Sequence, residues 1–165
     1  MTDISAQARF YDTLPRTFNE QGFTYVASDW LGAVRLHNRD NRWVGVGQIN
    51  RDGTYRQFGE GPTMEDNNAT QMRQLARTIV SNAFTPAERQ RLRGYTLTVS
   101  MHANSQTGVI DDVVFIFERT EGFATIPVAT YRRIELELKN RIRFVPTAVG
   151  RRRNFIMMWF EYEVR

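Results

Sequence analysis

Apolar residues recur at helical spacing along residues 68–83. They occupy one face of a helix, at the i, i+3, i+4, i+7 positions of an amphipathic segment packed on a core. Asn68 or Thr70 can cap its first turn. We therefore predict a helix over 68–83. The apolar positions are Met72, Leu75, Ala76, Ile79, Val80 and Ala83.

The same pattern returns near residue 128 and predicts a second helix over about 128–142. Glu135 and Lys139 lie four positions apart in it, which predicts an exposed ion pair on the helix surface. The apolar positions of this helix are Tyr131, Ile134, Leu138 and Ile142.

Alternation of apolar and polar residues predicts strands in the second half of the chain. Every second residue is apolar over 95–102, as in a half-buried strand. Five consecutive apolar residues within 109–117 predict a central strand that is covered on both faces. The last predicted strand, 155–164, alternates in its second half, where we expect Glu161 and Glu163 to point outward.

Weaker patterns predict the elements of the first half. A short helix is expected over 5–14, before Pro15. Three short strands are expected over 23–27, 33–36 and 43–49. A hairpin turn is expected around Gly53, because glycine tolerates the positive φ of tight turns.

Two helix–turn–strand units follow each other about 60 residues apart. We predict one domain over 1–165, in which an N-terminal half at about 20–101 and a C-terminal half at about 95–164 are related repeats. The apolar positions of the two predicted helices match better with an offset of 59 residues, so aligning the two units requires one shift in register inside the unit. The alternative is that a helix, a proline stop and a strand are simply a common sequence of elements. Residues that coincide at an offset of 60 are Ala69/Ala129, Thr70/Thr130, Arg73/Arg133, Phe84/Phe144, Pro86/Pro146, Arg91/Arg151 and Arg93/Arg153.

Composition narrows the possible functions. The chain has 22 basic and 18 acidic residues, for a net charge of +4, and 21 of the basic residues are Arg. This mild charge permits only a weak attraction to polyanions. The chain has no Cys, which excludes disulfides, thiolate catalysis and thiolate zinc sites. No apolar run approaches the roughly 20 residues of a membrane span, and we expect no signal peptide within this chain.

The second unit resembles a known family. Gly108-Val109-Ile110-Asp111-Asp112-Val113, a helix, Ile142-Arg143-Phe144-Val145-Pro146-Thr147-Ala148-Val149-Gly150 and an alternating strand look like the C-terminal domain of TonB and its relatives. The resemblance covers about 95–164, with a fainter copy over 43–101. No membrane helix or proline-rich spacer precedes the domain, so the energy-transducing role of TonB is not expected.

The resemblance carries the fold and function hypotheses. It implies an α+β fold, with a mostly antiparallel sheet, two helices on one face and two related TonB C-terminal-like halves. It implies export to the periplasm or cell surface, as in similar small exported Bacteroidetes proteins of unknown function. It also implies contact with another protein or peptide through an edge strand. Trp159 and Phe160 on the last strand would then line the adjoining pocket; core packing is their alternative role.

No catalytic constellation is apparent in the sequence. We expect His37 and His102 to be solvated surface residues. Asp111 and Asp112 are adjacent and point to opposite faces of a strand, so they cannot work as a pair unless a β-bulge redirects one of them. We therefore predict a non-enzymatic protein without metal or cofactor. An enzyme of unrecognised type, with His102 in a cleft, is the competing hypothesis.

Arginine-rich turns give the alternative function, which is anion or nucleic-acid binding. If both turns lie at the same end of the molecule, eight guanidinium groups form one patch for phosphate, sulfate or an acidic partner. Phe144, Phe155 and Trp159 can add stacking for single-stranded nucleic acid. The competing interpretation is a solvated basic rim. The predicted binding residues are Arg91, Arg93, Arg151, Arg152, Arg153 and Trp159.

Overall fold

A computed structural model describes residues 9–165 as a six-stranded antiparallel sheet with four helices. The strand order is β1-β2-β3-β5-β4-β6, so β1 and β6 form the two edges. None of the helices in this described part is long and apolar enough to cross a bilayer. The elements are β1 (Arg16–Glu20), β2 (Phe23–Trp30), β3 (Ala33–Asn38), α1 (Asp66–Asn82), α2 (Pro86–Leu92), β4 (Thr96–Ala103), β5 (Ile110–Phe117), a 3-10 turn (Gly122–Thr125), α3 (Val128–Arg141), α4 (Ala148–Arg151) and β6 (Ile156–Glu163).

The two predicted helices are confirmed as α1 and α3, which contact each other on one face of the sheet. The predicted cap of α1 is wrong. The helix begins after Glu65 without a side-chain cap. Asn68 instead accepts a hydrogen bond from the Val145 backbone N–H at 2.8 Å, because the chain leaving α3 passes beside the start of α1.

Aromatic side chains dominate the core between the sheet and the helices. Phe115 and Phe117 on β5 both contact Tyr131 of α3, and the Phe117 and Tyr131 rings stack at 5.2 Å. All three are buried, and burying each of these rings contributes about 1.5–3 kcal/mol. The prediction that β5 is a central strand covered on both faces is confirmed.

Strand β6 alternates between buried and exposed residues along its whole length. Met158, Phe160 and Tyr162 face the helices and are buried. Glu161 and Glu163 point outward, as predicted. The alternation leaves every second side chain of an edge strand on the face of the sheet that carries no helix.

Three predictions for the first half are wrong within the described residues. Residues 43–49 form no strand: Gly45 has a φ of +76°, and Trp43 stacks on Phe155 at 4.9 Å instead of joining a sheet. Part of the predicted helix 5–14 lies outside the described residues, and residues 10–14 are bends instead of a helix. Gly53 does lie in a turn, but Asn50 pairs with Arg153 and the turn closes no hairpin.

The two helix–turn–strand units share the order helix, aromatic corner, short helix, strand. Phe84 and Phe144 are both buried at their corners. Their neighbours differ, because Phe84 packs on Phe123 whereas the backbone N–H of Phe144 donates to the Gly108 carbonyl at 3.0 Å. A common origin of the two halves therefore stays a prediction.

Candidate functional site

The edge strand β6 presents two large apolar side chains to solvent. Met157 is 40% exposed and Trp159 is 57% exposed. They are neighbours on the helix-free face, since residues two apart on a strand point the same way. This exposure excludes the core-packing role for Trp159, whereas Phe160 is buried in the core.

The backbone of β6 has a free side. One side pairs with β4 from Ile156 to Glu163. The carbonyl of Glu161 points to the other side, where Arg77 of α1 donates a hydrogen bond to it at 2.6 Å. Because alternate residues direct their N–H and C=O groups to the same side, Met157 and Trp159 also direct theirs to the free edge. This is the feature that lets a strand accept another chain.

A groove of about 510 Å³ runs along this edge between β6 and α1. Its walls include Met64, Arg73, Arg77 and Trp159. Arg77 also lies over the Phe160 ring at 5.2 Å. Neither Arg73 nor Arg77 forms an ion pair with any residue in 9–165. The groove is therefore positively charged on the helix side, and on the sheet side it combines the apolar Met157 and Trp159 with the Glu161 carboxylate.

The two arginine turns lie at opposite ends of the molecule. The first turn leads into Thr96, and the second leads into Ile156. Thr96 pairs with Glu163 and Ala103 pairs with Ile156, so the two strands start at opposite ends of the pair. Their starting points are about 23 Å apart at the usual rise per residue. The single patch of eight guanidinium groups therefore does not form.

The arginines predicted to bind a ligand also differ in their exposure to solvent. Arg153 is only 3% exposed and binds Glu60 and Asn50 through its guanidinium. Its hydrogen bond lowers the pKa of the Glu60 carboxyl. Arg153 is thus a structural residue, in contrast to the predicted binding role at the surface. Its neighbours Arg151 and Arg152 are exposed, as are Arg91 and Arg93 of the other turn.

His102 is buried, and the prediction of a solvated histidine is wrong. Its Nδ1 lies 3.9 Å from Asp112 Oδ2, a distance that allows charge attraction but no hydrogen bond. The segment around Trp43 covers it, since the Trp43 N–H donates to Asp112 at 2.6 Å and Phe155 packs on the imidazole ring. Burial raises the pKa of Asp112, but hydrogen bonding outweighs it and the net pKa is lowered.

His37 gives the fold a pH dependence. Its pKa is lowered from the ordinary 6.5, mainly by burial, so the folded state binds the proton less readily than the unfolded chain. The contribution of neutral His37 to the stability of the folded state is therefore complete at pH values above the ordinary pKa. This contribution is lost as the pH falls through the lowered pKa of the folded state. We expect His37→Gln to reduce the loss of stability between about pH 7 and about pH 5, measured by urea unfolding. Equal pH slopes in the two proteins would contradict this.

Glu135 of α3 is a buried carboxylate that the sequence presented as exposed. The predicted ion pair with Lys139 does form, at 2.9 Å, but the Glu135 side chain is fully buried. Arg132 also donates to it at 2.9 Å, and the Tyr25 hydroxyl donates to its second oxygen. A helical pattern cannot reveal this, because Tyr25 arrives from a distant strand.

Comparison with known proteins identifies the family. A model of the domain of unknown function DUF5043 matches residues 7–160. The chain belongs to the DUF5043 family. A crystal structure of a DUF5043 family protein from Bacteroides uniformis has a TM-score of 0.86 and 28% sequence identity, covering 96% of this chain and 89% of that one. No curated protein matches the chain. The comparisons do not confirm a resemblance to TonB.

In the part of the DUF5043 domain that the structure describes, few side chains suited to metal binding or catalysis lie close together. Within residues 9–165, no group of three His, Asp or Glu side chains is arranged to hold a metal ion. The His102 and Asp112 pair lies under the Trp43 segment, and the two acidic neighbours Asp111 and Asp112 both bind Trp43, through its indole and its backbone. These carboxylates therefore anchor a loop in the DUF5043 structure.

Proposed function

We propose that this DUF5043 protein is a non-enzymatic module that binds an extended segment of another protein at the free edge of β6. The observation that carries the proposal is the outward-facing backbone of Met157 and Trp159 beside an exposed indole. Met157 and Trp159 together offer two N–H and two C=O groups, with which the backbone of an added strand can form hydrogen bonds. Trp159 supplies the apolar contact that fixes its position.

The groove defines the chemistry of the partner. An added strand directs alternate side chains to the two faces of the sheet. Those on the helix side meet Arg73 and Arg77, so acidic residues are favoured there. Those on the other side meet Met157 and Trp159, so apolar residues are favoured there. The partner is thus an extended segment in which acidic and apolar residues alternate.

Two further parts of the proposal rest on the TonB-like resemblance of residues 95–164. One is export to the periplasm or cell surface, where such a module would meet its partner. The other is that the two helix–turn–strand units are related halves. The shared order of helix, buried phenylalanine corner and strand in both units supports the second part.

The alternative function is anion or nucleic-acid binding by the exposed Arg151 and Arg152. Salt distinguishes the two functions. Binding dominated by phosphate contacts weakens steeply as the salt concentration rises, whereas binding at β6 should weaken less, because backbone pairing and Trp159 supply most of it and only the contacts with Arg73 and Arg77 are ionic. Because the two arginine turns lie at opposite ends of the molecule, this alternative function would use a small site at one turn only.

A peptide library tests the proposal. Phage-displayed random peptides selected on the protein should converge on alternating acidic and apolar residues. Trp159→Ala should weaken the best selected peptide by roughly 30-fold, as for an interface hot spot of 2 kcal/mol. Met157→Pro should also abolish binding, because it removes an N–H that points to the free edge and leaves the pairing with β4 intact. Fluorescence polarisation measures both effects.

Trp30→Ala is the matched control, since Trp30 is another exposed tryptophan at 44% and lies near the opposite edge, on β2. It should bind the selected peptide like the unmodified protein. Selected peptides that bind Met157→Pro and Trp159→Ala with undiminished affinity would show that β6 is not the site. Failure of the library to converge would also refute the proposal.

A further inference from the structure

A second cavity lies away from the β6 groove, between the long loop before α1 and the segment around α4. Its volume is about 390 Å³, within the range of small-ligand sites. Residues of the loop that line it include Arg56, Gln57, Phe58 and Glu60, and Arg153 lines it from the other side. Nothing in the peptide-binding proposal uses this cavity.

The loop is held firmly on both sides of the cavity. Before it, the Arg51 N–H donates to the Arg152 carbonyl at 2.8 Å. After it, the Thr147 hydroxyl donates to the Pro62 carbonyl at 2.6 Å. Gly150 approaches so closely that an added Cβ would lie 2.0 Å from the Thr63 carbonyl oxygen. The cavity is therefore formed by an anchored loop.

Phe58 is among the residues that line this cavity, and its ring projects into solvent at the rim. Phe58 has an exposed fraction of 109%, so its ring is not buried by any residue in 9–165. Exposure of such a ring is unfavourable in the free protein and becomes favourable when a ligand covers it. The apolar C–H face of a sugar ring is one group that packs on an aromatic ring of this kind.

The polar groups of the cavity select for hydroxyls and one negative charge. The ionisable side chains are Arg56, Arg153 and Glu60, which together leave one positive charge. Arg153 is 97% buried, since its exposure is 3%, and its Nε has no hydrogen-bond partner among the described residues. Glu60 disfavours a phosphate dianion but can accept hydrogen bonds from hydroxyl groups.

We propose that this cavity binds an acidic saccharide, a sugar ring that carries one carboxylate. The ring packs on Phe58, and its carboxylate pairs with Arg56, which is exposed and has no ion-pair partner within residues 9–165. The sugar hydroxyls donate to Glu60 and accept from the amide of Gln57. A carboxylate and a guanidinium form a two-point contact that a neutral sugar cannot make.

Titration with trigalacturonate, followed by amide chemical shifts in NMR spectra, tests the proposal. We expect saturable shifts around 56–60 and 153. Phe58→Ala and Arg56→Gln should each raise the Kd by about tenfold or more. Both side chains are exposed, so these variants should fold normally. Tyr55→Ala is the control, because Tyr55 is 80% exposed in the same loop and does not line the cavity.

Two further titrations complete the experiment. A neutral trisaccharide such as maltotriose should bind at least about tenfold more weakly than trigalacturonate. Inorganic phosphate should not produce the same shifts. Equal binding of maltotriose would overturn the role of the carboxylate, and equal binding of phosphate would overturn the saccharide assignment. Absence of shifts with millimolar trigalacturonate would overturn the proposal entirely, without bearing on peptide binding at β6.

Discussion

Replacing Glu135 by alanine is expected to lower the free energy of unfolding by about 3–5 kcal/mol, the usual cost of breaking a buried charge cluster. The carboxylate is fully buried and accepts hydrogen bonds from Arg132 and Lys139 at 2.9 Å each. The Tyr25 hydroxyl also donates to it and would be left buried without a partner. Burial is the main cause of the raised pKa of Tyr25, and it persists in the variant, so the tyrosine stays neutral there. Urea unfolding followed by circular dichroism measures the loss.

Glu137→Ala is the matched control for this effect. Glu137 lies on the same helix, but its side chain is 55% exposed and its ion pair with Arg141 spans 3.7 Å. Its removal should change stability by no more than about 0.5 kcal/mol. Glu135→Gln, which keeps the volume and one acceptor oxygen, should fall between the two. A loss below about 1 kcal/mol for Glu135→Ala would mean that the cluster contributes little net stabilisation.

Replacing Gly108 by alanine is expected to cost about 3 kcal/mol or more, since it combines backbone strain with overpacking. Gly108 has a φ of +72°, and a Cβ built there would lie 1.7 Å from the Phe144 carbonyl oxygen. The obstacle is backbone, which cannot rotate away like a side chain. The change would push apart the β4–β5 turn and the segment that follows α3. Thermal unfolding, with a lowered Tm, measures the effect.

Gly53→Ala separates strain from steric overlap. Gly53 has a φ of +86°, but nothing lies within 4 Å of the position that its Cβ would take. This variant should therefore show only the cost of a left-handed residue, about 1–2 kcal/mol. If both variants lose the same stability, the close approach of Gly108 to Phe144 is not what limits the position.

Hydrophobic periodicity predicted the helices and strands that pack one side against the core. Helices α1 and α3 and strands β4 and β6 bury one side against the core, so their apolar residues follow the helical or strand period, whereas β5 is covered on both faces and shows a continuous apolar run. Strand β1 was missed, because Phe18 is its only buried residue. The alternation around Trp43 was misleading, since these residues cover the end of the sheet as a loop.

The candidate sites depend on contacts that no local pattern contains. The edge position of β6 was expected only through the TonB-like resemblance, and the exposure of Trp159 follows from strand order. Burial of His102 requires the distant Trp43 segment, and burial of Arg153 requires the Glu60 carboxylate. The cavity beside Phe58 has no sequence signature, because the loop and Arg153 that line it are far apart in the chain.

The position of β5 between β3 and β4 has a consequence for biosynthesis. The meander β1–β2–β3 is complete at Asn38, but Val34 of β3 finds its partner only at Phe117. While the ribosome synthesises the residues between β3 and β5, the edge of β3 has no partner strand. Strand pairing between residues so far apart in the sequence forms slowly. Until β5 has emerged, this edge can pair with another chain instead.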